Sequence, residues 1–278
     1  MVQTAVEFDD VTYAYAGAAS PALDHVSFSL DEGEFVCIIG ANGSGKSTLA
    51  RHLNALLVPS AGKVRVFGCD TAAAGAASRV RPRVGMVFQD PDSQSVAPIV
   101  ADDVAFGPKN LGLSSEQTSE RVHAALDRLG ISQLAQAEVA SLSGGQKQLV
   151  ALAGVMAMHP DVYVLDEPGA MLDARGRAAV TGVARQLHEE GRTVVLITHF
   201  MQDALLADRV IALDRGRLAY DGAPGELLSH AGAVRAIGLE PPFEMRLAEA
   251  RAARGVHVSD PLDPDAWKEE LWPSRSSR

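Results

Sequence analysis

Gly40-Ala41-Asn42-Gly43-Ser44-Gly45-Lys46-Ser47-Thr48 stands between the apolar run Phe35-Val36-Cys37-Ile38-Ile39 and a segment in which Leu49, Leu53, Leu56 and Leu57 recur at helical spacing. The first run is short and apolar, as a strand buried on both faces is. The glycines of the middle stretch let the backbone curl so that successive N–H groups face inward. The helix that follows adds the partial positive charge of its N-terminus. Strand, glycine-rich loop and helix together predict a triphosphate cradle in which Lys46 reaches the β and γ phosphates and the Ser47 hydroxyl ligates Mg²⁺.

Further along, Val162-Tyr163-Val164-Leu165 runs straight into Asp166-Glu167-Pro168. Two carboxylates at the C-terminal end of a buried strand stand where open α/β sheets place their ligands. Alternation along an extended chain predicts that they point in different directions. Asp166 is then placed to hold Mg²⁺ and Glu167 to polarise an attacking water. Val84-Gly85-Met86-Val87-Phe88 reads as another core strand, ending on Gln89, and Arg192 to Thr198 as a third, ending on His199. Gln89 reads either as a solvated loop residue or as a group that orients water or a metal ion. His199 reads either as a structural histidine or as a donor to a γ-phosphate. Tyr15, between two alternating stretches near the N-terminus, reads as strand packing or as a platform for a purine ring. Ser141-Leu142-Ser143-Gly144-Gly145-Gln146-Lys147-Gln148 opens a helix on two glycines, which costs stability of about 1 kcal/mol each within the first turn. A second anion at that helix start accounts for the bare backbone.

The 278 residues are 47% apolar and 22% charged, an ordinary globular composition with ample chain for a core. A formal charge of −10 argues against nucleic acid as the main partner, because such binding relies on Lys and Arg neutralising phosphates. Cys37 and Cys69 sit in no metal-ligand spacing and suggest a reducing compartment. No stretch approaches the roughly 20 apolar residues that span a bilayer, and the N-terminus has no signal-peptide pattern. Membrane association is therefore expected only through a partner protein.

In order, alternating residues 5 to 30 predict an antiparallel strand pair, Pro59 to Lys63 a turn, and Val64 to Gly68 a strand. Ala72 to Ala77 reads as a loose loop or weak helix start. The stretch 91–158 reads as an inserted helical subdomain, with Ser114 and Gln117 in a capping-box pattern. A hairpin joining Val210-Ile211-Ala212-Leu213 to Arg217-Leu218-Ala219-Tyr220 is expected to close the core.

From about residue 5 to 228 the ordered set of Tyr15, the loop from Gly40 to Thr48, Gln89, Leu142-Ser143-Gly144-Gly145-Gln146, Val162 to Glu167, Met171-Leu172-Asp173 and His199 resembles an ATP-binding cassette ATPase. The resemblance implies an α/β fold: a P-loop NTPase core with an antiparallel β edge (1–90 and 159–228) and an inserted helical signature subdomain (91–158). It implies that Tyr15 stacks on adenine, Gln89 touches Mg²⁺ and the water, Glu167 is the general base and His199 clamps the γ-phosphate of ATP. Ser143 and Gly145 are implied to cap the γ-phosphate of the opposite protomer, so that ATP joins a head-to-tail dimer. Val87 to Gln94 and Asp102 to Leu113 are similar to the ATPase subunits of energy-coupling-factor transporters, which import vitamins or transition-metal ions. Met171-Leu172-Asp173 resembles the first of that family's two paired ATPases, and Ile237 to Arg254 its C-terminal extension, a small helical dimerisation segment (229–255). The implied partners are a second ATPase subunit, identical or paralogous, a helical transmembrane coupling subunit, and a small substrate-binding membrane protein. The implied location is the cytoplasmic face of the cell membrane. Gly169 departs from the family's Thr or Ser, and the tail 256–278, with Trp267 and Trp272, reads as disordered or as a docking peptide. A soluble cassette ATPase acting on nucleic acid or ribosomes is the rival expectation.

Overall fold

A computed structural model describes residues 3–229 and 231–255 and positions 258 and 267, so the expectation for the tail 256–278 falls almost wholly outside the described residues. In chain order the strands are β1 Thr4–Tyr13, β2 Leu23–Asp31, β3 Phe35–Gly40, β4 Ala61–Val66, β5 Cys69–Asp70, β6 Val84–Val87, β7 Val162–Asp166, β8 Thr193–Ile197, β9 Arg209–Asp214 and β10 Arg217–Gly222. The helices are α1 Lys46–Leu53, α2 Ala76–Val80, α3 Val100–Asn110, α4 Ser115–Arg128, α5 Gly144–Met158, α6 Ala174–Glu189, α7 Met201–Ala204, α8 Pro224–Leu227, α9 Ala231–Ala236 and α10 Phe243–Ala252.

Two sheets share the core. One is antiparallel, in the order β2-β1-β4-β5, and the other runs β10-β9-β3-β8-β7-β6, with parallel pairing from β9 through β6. The central strands are unbroken apolar runs because both of their faces are covered. Phe35, Cys37 and Ile39 of β3, Tyr163 and Leu165 of β7, and Val194 and Leu196 of β8 face one core, packed against helices such as α5 and α6. Val36 and Ile38, Val162 and Val164, and Val195 and Ile197 face the other, against α1 and the antiparallel sheet. In that sheet the alternation of β1 and β2 is matched residue to residue: Val6 pairs Leu30, Phe8 pairs Phe28 and Val11 pairs Val26, with the two phenylalanine rings stacked at 4.6 Å. β9 and β10 form the expected hairpin on the edge of the parallel sheet.

Two local expectations shift. β4 begins at Ala61, inside the expected turn, and ends at Val66, because Phe67 (φ 47°) and Gly68 (φ 73°) take left-handed conformations and turn the chain into β5. The Ala-rich stretch forms a helix only from Ala76. Residues 91–158 hold α3, α4 and α5 with no named strand, and Ser114 and Gln117 make the reciprocal capping box of α4.

His52 is fully buried in α1, where its Nδ1–H donates to the Thr48 carbonyl at 2.8 Å and its Nε2 finds no partner among the described residues. It lies edge-on to Tyr13 at 4.9 Å and to Phe8 at 6.4 Å. Burial therefore lowers its pKa from the ordinary 6.5. The stability this neutral ring supports is complete above the unfolded value and is lost as pH falls through the lower folded-state value, with a slope of up to about 1.4 kcal/mol per pH unit. The urea midpoint is expected to fall between about pH 7 and pH 5, and His52→Leu to flatten that dependence by about one proton. An unchanged slope in His52→Leu excludes the ring as the source.

Candidate active site

β3, β8, β7 and β6 are consecutive neighbours in the parallel sheet. The phosphate-binding loop follows β3, His199 follows β8, Asp166 and Glu167 stand at the end of β7, and Gln89 follows β6. Sheet order thus gathers residues up to 159 positions apart along one edge, the crevice outside the strand ends where such sheets bind ligands.

The phosphate loop is shaped by close approaches. Gly45 has φ 105°, and a Cβ there would fall 2.4 Å from the Ala22 carbonyl oxygen. At Gly40 a Cβ would fall 2.5 Å from the Leu213 carbonyl oxygen and 2.4 Å from Ser44 Oγ. Larger side chains would push the loop off both neighbours. Tyr15, Ala22, the residues from Asn42 to Thr48, Gln89 and Glu167 enclose a cleft of about 420 Å³. Lys46 is buried at its base, its Nζ donating to the carbonyls of Gly40 at 2.8 Å and Ala41 at 3.1 Å and lying 4.0 Å from Glu167 Oε1. Burial lowers its pKa, against the opposing pull of Glu167 and Asp166.

Asp166 is 3% exposed and accepts from Ser47 Oγ at 3.2 Å. Burial raises its carboxyl above the usual range, the Ser47 hydrogen bond draws it down, and Glu167 raises it again. The expectation that simple strand alternation separates the two carboxylates is corrected: β7 ends at Asp166, and Glu167 turns left-handed at φ 49° with its N–H on the Ile197 carbonyl at 2.9 Å. That conformation costs a non-glycine residue about 1 kcal/mol. It swings the carboxylate into the centre of the site. Gln89 Nε2 donates to Glu167 Oε2 at 3.3 Å, and His199 Nδ1 lies 3.2 Å from the same oxygen. Lys46, Gln89 and His199 therefore converge on Glu167.

Tyr15 is 40% exposed at the cleft's rim, with its hydroxyl 3.2 Å from Thr48 Oγ1 and its ring edge-on to Tyr13 at 5.0 Å. Leu142, Ser143, Gly144, Gly145 and Gln146 do not line the cleft of their own chain. They start α5 as a capping box: Ser143 Oγ accepts from the Gln146 N–H at 3.3 Å and Gln146 Oε1 from the Ser143 N–H at 2.9 Å. That S-x-x-Q signal was as legible as the one at Ser114, and the sequence reading passed over it. Gly145 also has a reason inside the chain, since a Cβ would meet Leu172 Cδ2 at 2.9 Å. Asp173 caps α6, accepting from the Gly176 N–H at 2.7 Å. Thr198, expected only as the end of a strand, and Asp203, not singled out in the sequence, hold the His199 loop: Thr198 Oγ1 donates to Asp203 Oδ2 at 3.0 Å and accepts from the Phe200 N–H at 3.0 Å. A Thr bonding the N–H two residues on, just past a strand, is a readable turn signal.

A doubly covered parallel sheet, an antiparallel sheet beside it, an inserted helical unit and this carboxylate-centred cleft define an ATP-binding cassette ATPase. The family model described as ABC transporter matches residues 23–170. The energy-coupling factor transporter ATP-binding protein EcfA1 of Symbiobacterium thermophilum is 51% identical over 89% of this chain and 89% of its own length. The EcfA1 of Listeria innocua is 43% identical over 100% of both. The solved structure of cbiO1 from Clostridium perfringens, part of the ABC transporter complex cbiONQ, superposes with a TM-score of 0.75 at 32% identity, covering 91% of this chain and 100% of that one. The cassette MJ0796, in a dimeric post-hydrolysis state bound to ADP and Pi, gives 0.73 at 28% identity over 79% of this chain and 98% of that one. The chain belongs to the ABC transporter family, among its energy-coupling factor transporter ATP-binding proteins, and is an ATPase.

Proposed function

We propose that this chain is the ATP-hydrolysing motor of an energy-coupling-factor importer, carrying a vitamin or a transition-metal ion through membrane partners. The observation that carries the chemistry is the convergence of Lys46, Gln89 and His199 on the one carboxylate of Glu167. Glu167 takes the proton of the attacking water at its carboxylate while Gln89 and His199 hold the water and the γ-phosphate in line. Lys46 supplies positive charge to the β and γ phosphates, backbone N–H groups of the loop and of the start of α1 bind their oxygens, and Tyr15 takes the adenine. The Ser47 hydroxyl and the Asp166 carboxylate, 3.2 Å apart, with Gln89 lining the same cleft as Ser47, offer hard-oxygen donors that fit Mg²⁺. Among the described residues no group of three or more His, Cys, Asp or Glu is set to hold a metal, in keeping with an ion that shares its ligands with phosphates. When bound, the ion neutralises charge on the transferring phosphoryl group.

Because the start of α5 does not line the cleft of its own chain, Ser143 and Gly145 serve the site of a second, identical or paralogous ATPase. ATP then holds the pair closed and hydrolysis releases it. The groove beside Gln89, about 320 Å³ and lined by Leu56, Met86, Phe88, Val96, Phe106 and Met158, receives a helix of the transmembrane coupling subunit. The segment 229–255, with Phe243 62% exposed on α10, adds to the ATPase pair. A separate small membrane protein selects the cargo. Among the described residues no helix is long and apolar enough to cross a membrane, so the chain reaches the cytoplasmic membrane face through these partners. The charge of −10 keeps nucleic acid out of the scheme.

Gentle detergent extraction of the tagged chain from its native membranes, followed by mass spectrometry, is expected to recover a second ATPase, a helical scaffold and a small multi-spanning protein. Recovery of ribosomal or DNA-bound proteins without a membrane subunit would sink the importer and leave a soluble ATPase.

A further inference from the structure

Arg177 lies in the second turn of α6, its N–H bonded to the Asp173 carbonyl at 2.9 Å. Its guanidinium carbon stands 4.0 Å from the centre of the Phe200 ring, a cation–π contact. Phe200 follows His199, and their ring centres are 4.1 Å apart with planes inclined at 37°. His199 in turn faces Glu167 Oε2 at 3.2 Å. Contact is therefore continuous from α6 through Phe200 and His199 to the carboxylate.

The stem of Arg177 reaches Phe200 by crossing Gly169, two residues beyond Glu167. A Cβ at Gly169 would fall 2.9 Å from Arg177 Cγ and 3.1 Å from Cδ. Gly169 does not take a left-handed φ, so space, not conformational freedom, is what a side chain there would remove. Arg177 has little room to yield, because the Asp173 cap fixes the start of α6 and Cγ lies close to the backbone. The floor of the cluster is Asp203, whose carboxyl burial raises above the usual range, while the hydrogen bond from Thr198 Oγ1 at 3.0 Å and the charges of Arg177 and His199 pull it back down.

We propose that Arg177 is a positioning residue: through Phe200 it sets the ring of His199 against Glu167, and Gly169 keeps open the lane that its stem occupies. This rests on the roles given above to His199 and Glu167. Asp173 and Arg177 sit one helical turn apart, so a displacement of the Asp173 loop reaches His199 by this route.

The test is steady-state ATP hydrolysis by the full chain purified with its native membrane subunits. Arg177→Ala is expected to lower kcat about tenfold with KM for ATP changed by less than about twofold, since a misplaced orienting group is felt in turnover. Arg177→Lys, which keeps a cation over the ring, restores most of the loss. Gly169→Thr leaves the arginine in place and reproduces the loss by crowding its stem, which tests the same contact even where Arg177→Ala destabilises the chain. In a His199→Ala background Arg177→Ala is expected to cost nothing further. Parental turnover in both Arg177→Ala and Gly169→Thr, or a full repeated loss in the His199→Ala background, overturns the positioning role. Parental turnover in His199→Ala itself overturns the reading of the site on which the inference stands.

Discussion

Glu167→Gln is expected to bind ATP as the parent chain does and to hydrolyse it at least about 10²-fold more slowly. The substitution keeps the shape of a side chain that is 9% exposed, and it keeps an amide oxygen able to accept from Gln89 Nε2 at 3.3 Å or from His199. What it removes is the base and the negative charge 4.0 Å from Lys46 Nζ. The phosphate loop is untouched, since its shape depends on Gly40, Gly45 and the carbonyls that Lys46 holds. Nucleotide affinity therefore persists while turnover stops. In the proposed dimer the unspent γ-phosphate keeps both halves joined, so with ATP and Mg²⁺ the variant should elute at twice the mass of the nucleotide-free chain. Single-turnover hydrolysis and gel filtration read the two consequences separately. Turnover within about twofold of the parent would remove Glu167 from the chemistry. Slow turnover without a trapped dimer would keep the base and exclude a pair of identical subunits.

The central sheet was legible because β3, β6, β7 and β8 are buried, and each shows in the sequence as a largely apolar run that stops at the glycine loop after β3 and at polar residues after β6, β7 and β8. The stopping residues are themselves the site, so Gln89, Asp166, Glu167 and His199 could be nominated before any coordinates. Their convergence could not. It depends on the order β3-β8-β7-β6, a property of packing between segments up to 159 residues apart that no local pattern carries. The left-handed turn at Glu167 was illegible for a related reason. Nothing in the residue pattern favours φ 49° for a glutamate before proline, and its N–H bonds to Ile197 on the neighbouring strand, a partner the local sequence does not name. Gly169 shows the same limit from the other side: in sequence it is a departure from Thr or Ser, and in space it is the gap that Arg177 fills.

Lys46→Ala is expected to weaken ATP binding by about 10²-fold or more, the loss that follows from truncating one member of a buried charge pair. Its effect on the nucleotide-free fold should be much smaller, because two opposed contributions are removed together. Burial lowers the lysine's pKa, so holding it charged in this place costs stability at neutral pH, and the substitution relieves that cost. The same substitution withdraws a cation that draws down the raised carboxyl of Asp166. A carboxyl with a raised folded-state pKa contributes stability that is complete below its unfolded value and is lost as pH rises through the folded one. The nucleotide-free variant should therefore compare best with the parent near pH 4, where only the relief acts, and lose ground to it as pH rises from about 4 to 7. With ATP at 100 times the parent's Kd, the parent gains about 2.7 kcal/mol, whereas a variant binding 100-fold more weakly gains only ~0.4 kcal/mol. Thermal melts with and without ATP, run across that pH range, separate the two effects. An intact ATP-induced shift in Lys46→Ala would place the phosphates elsewhere than the loop, whereas a nucleotide-free chain that fails to fold would make Lys46 a structural residue first.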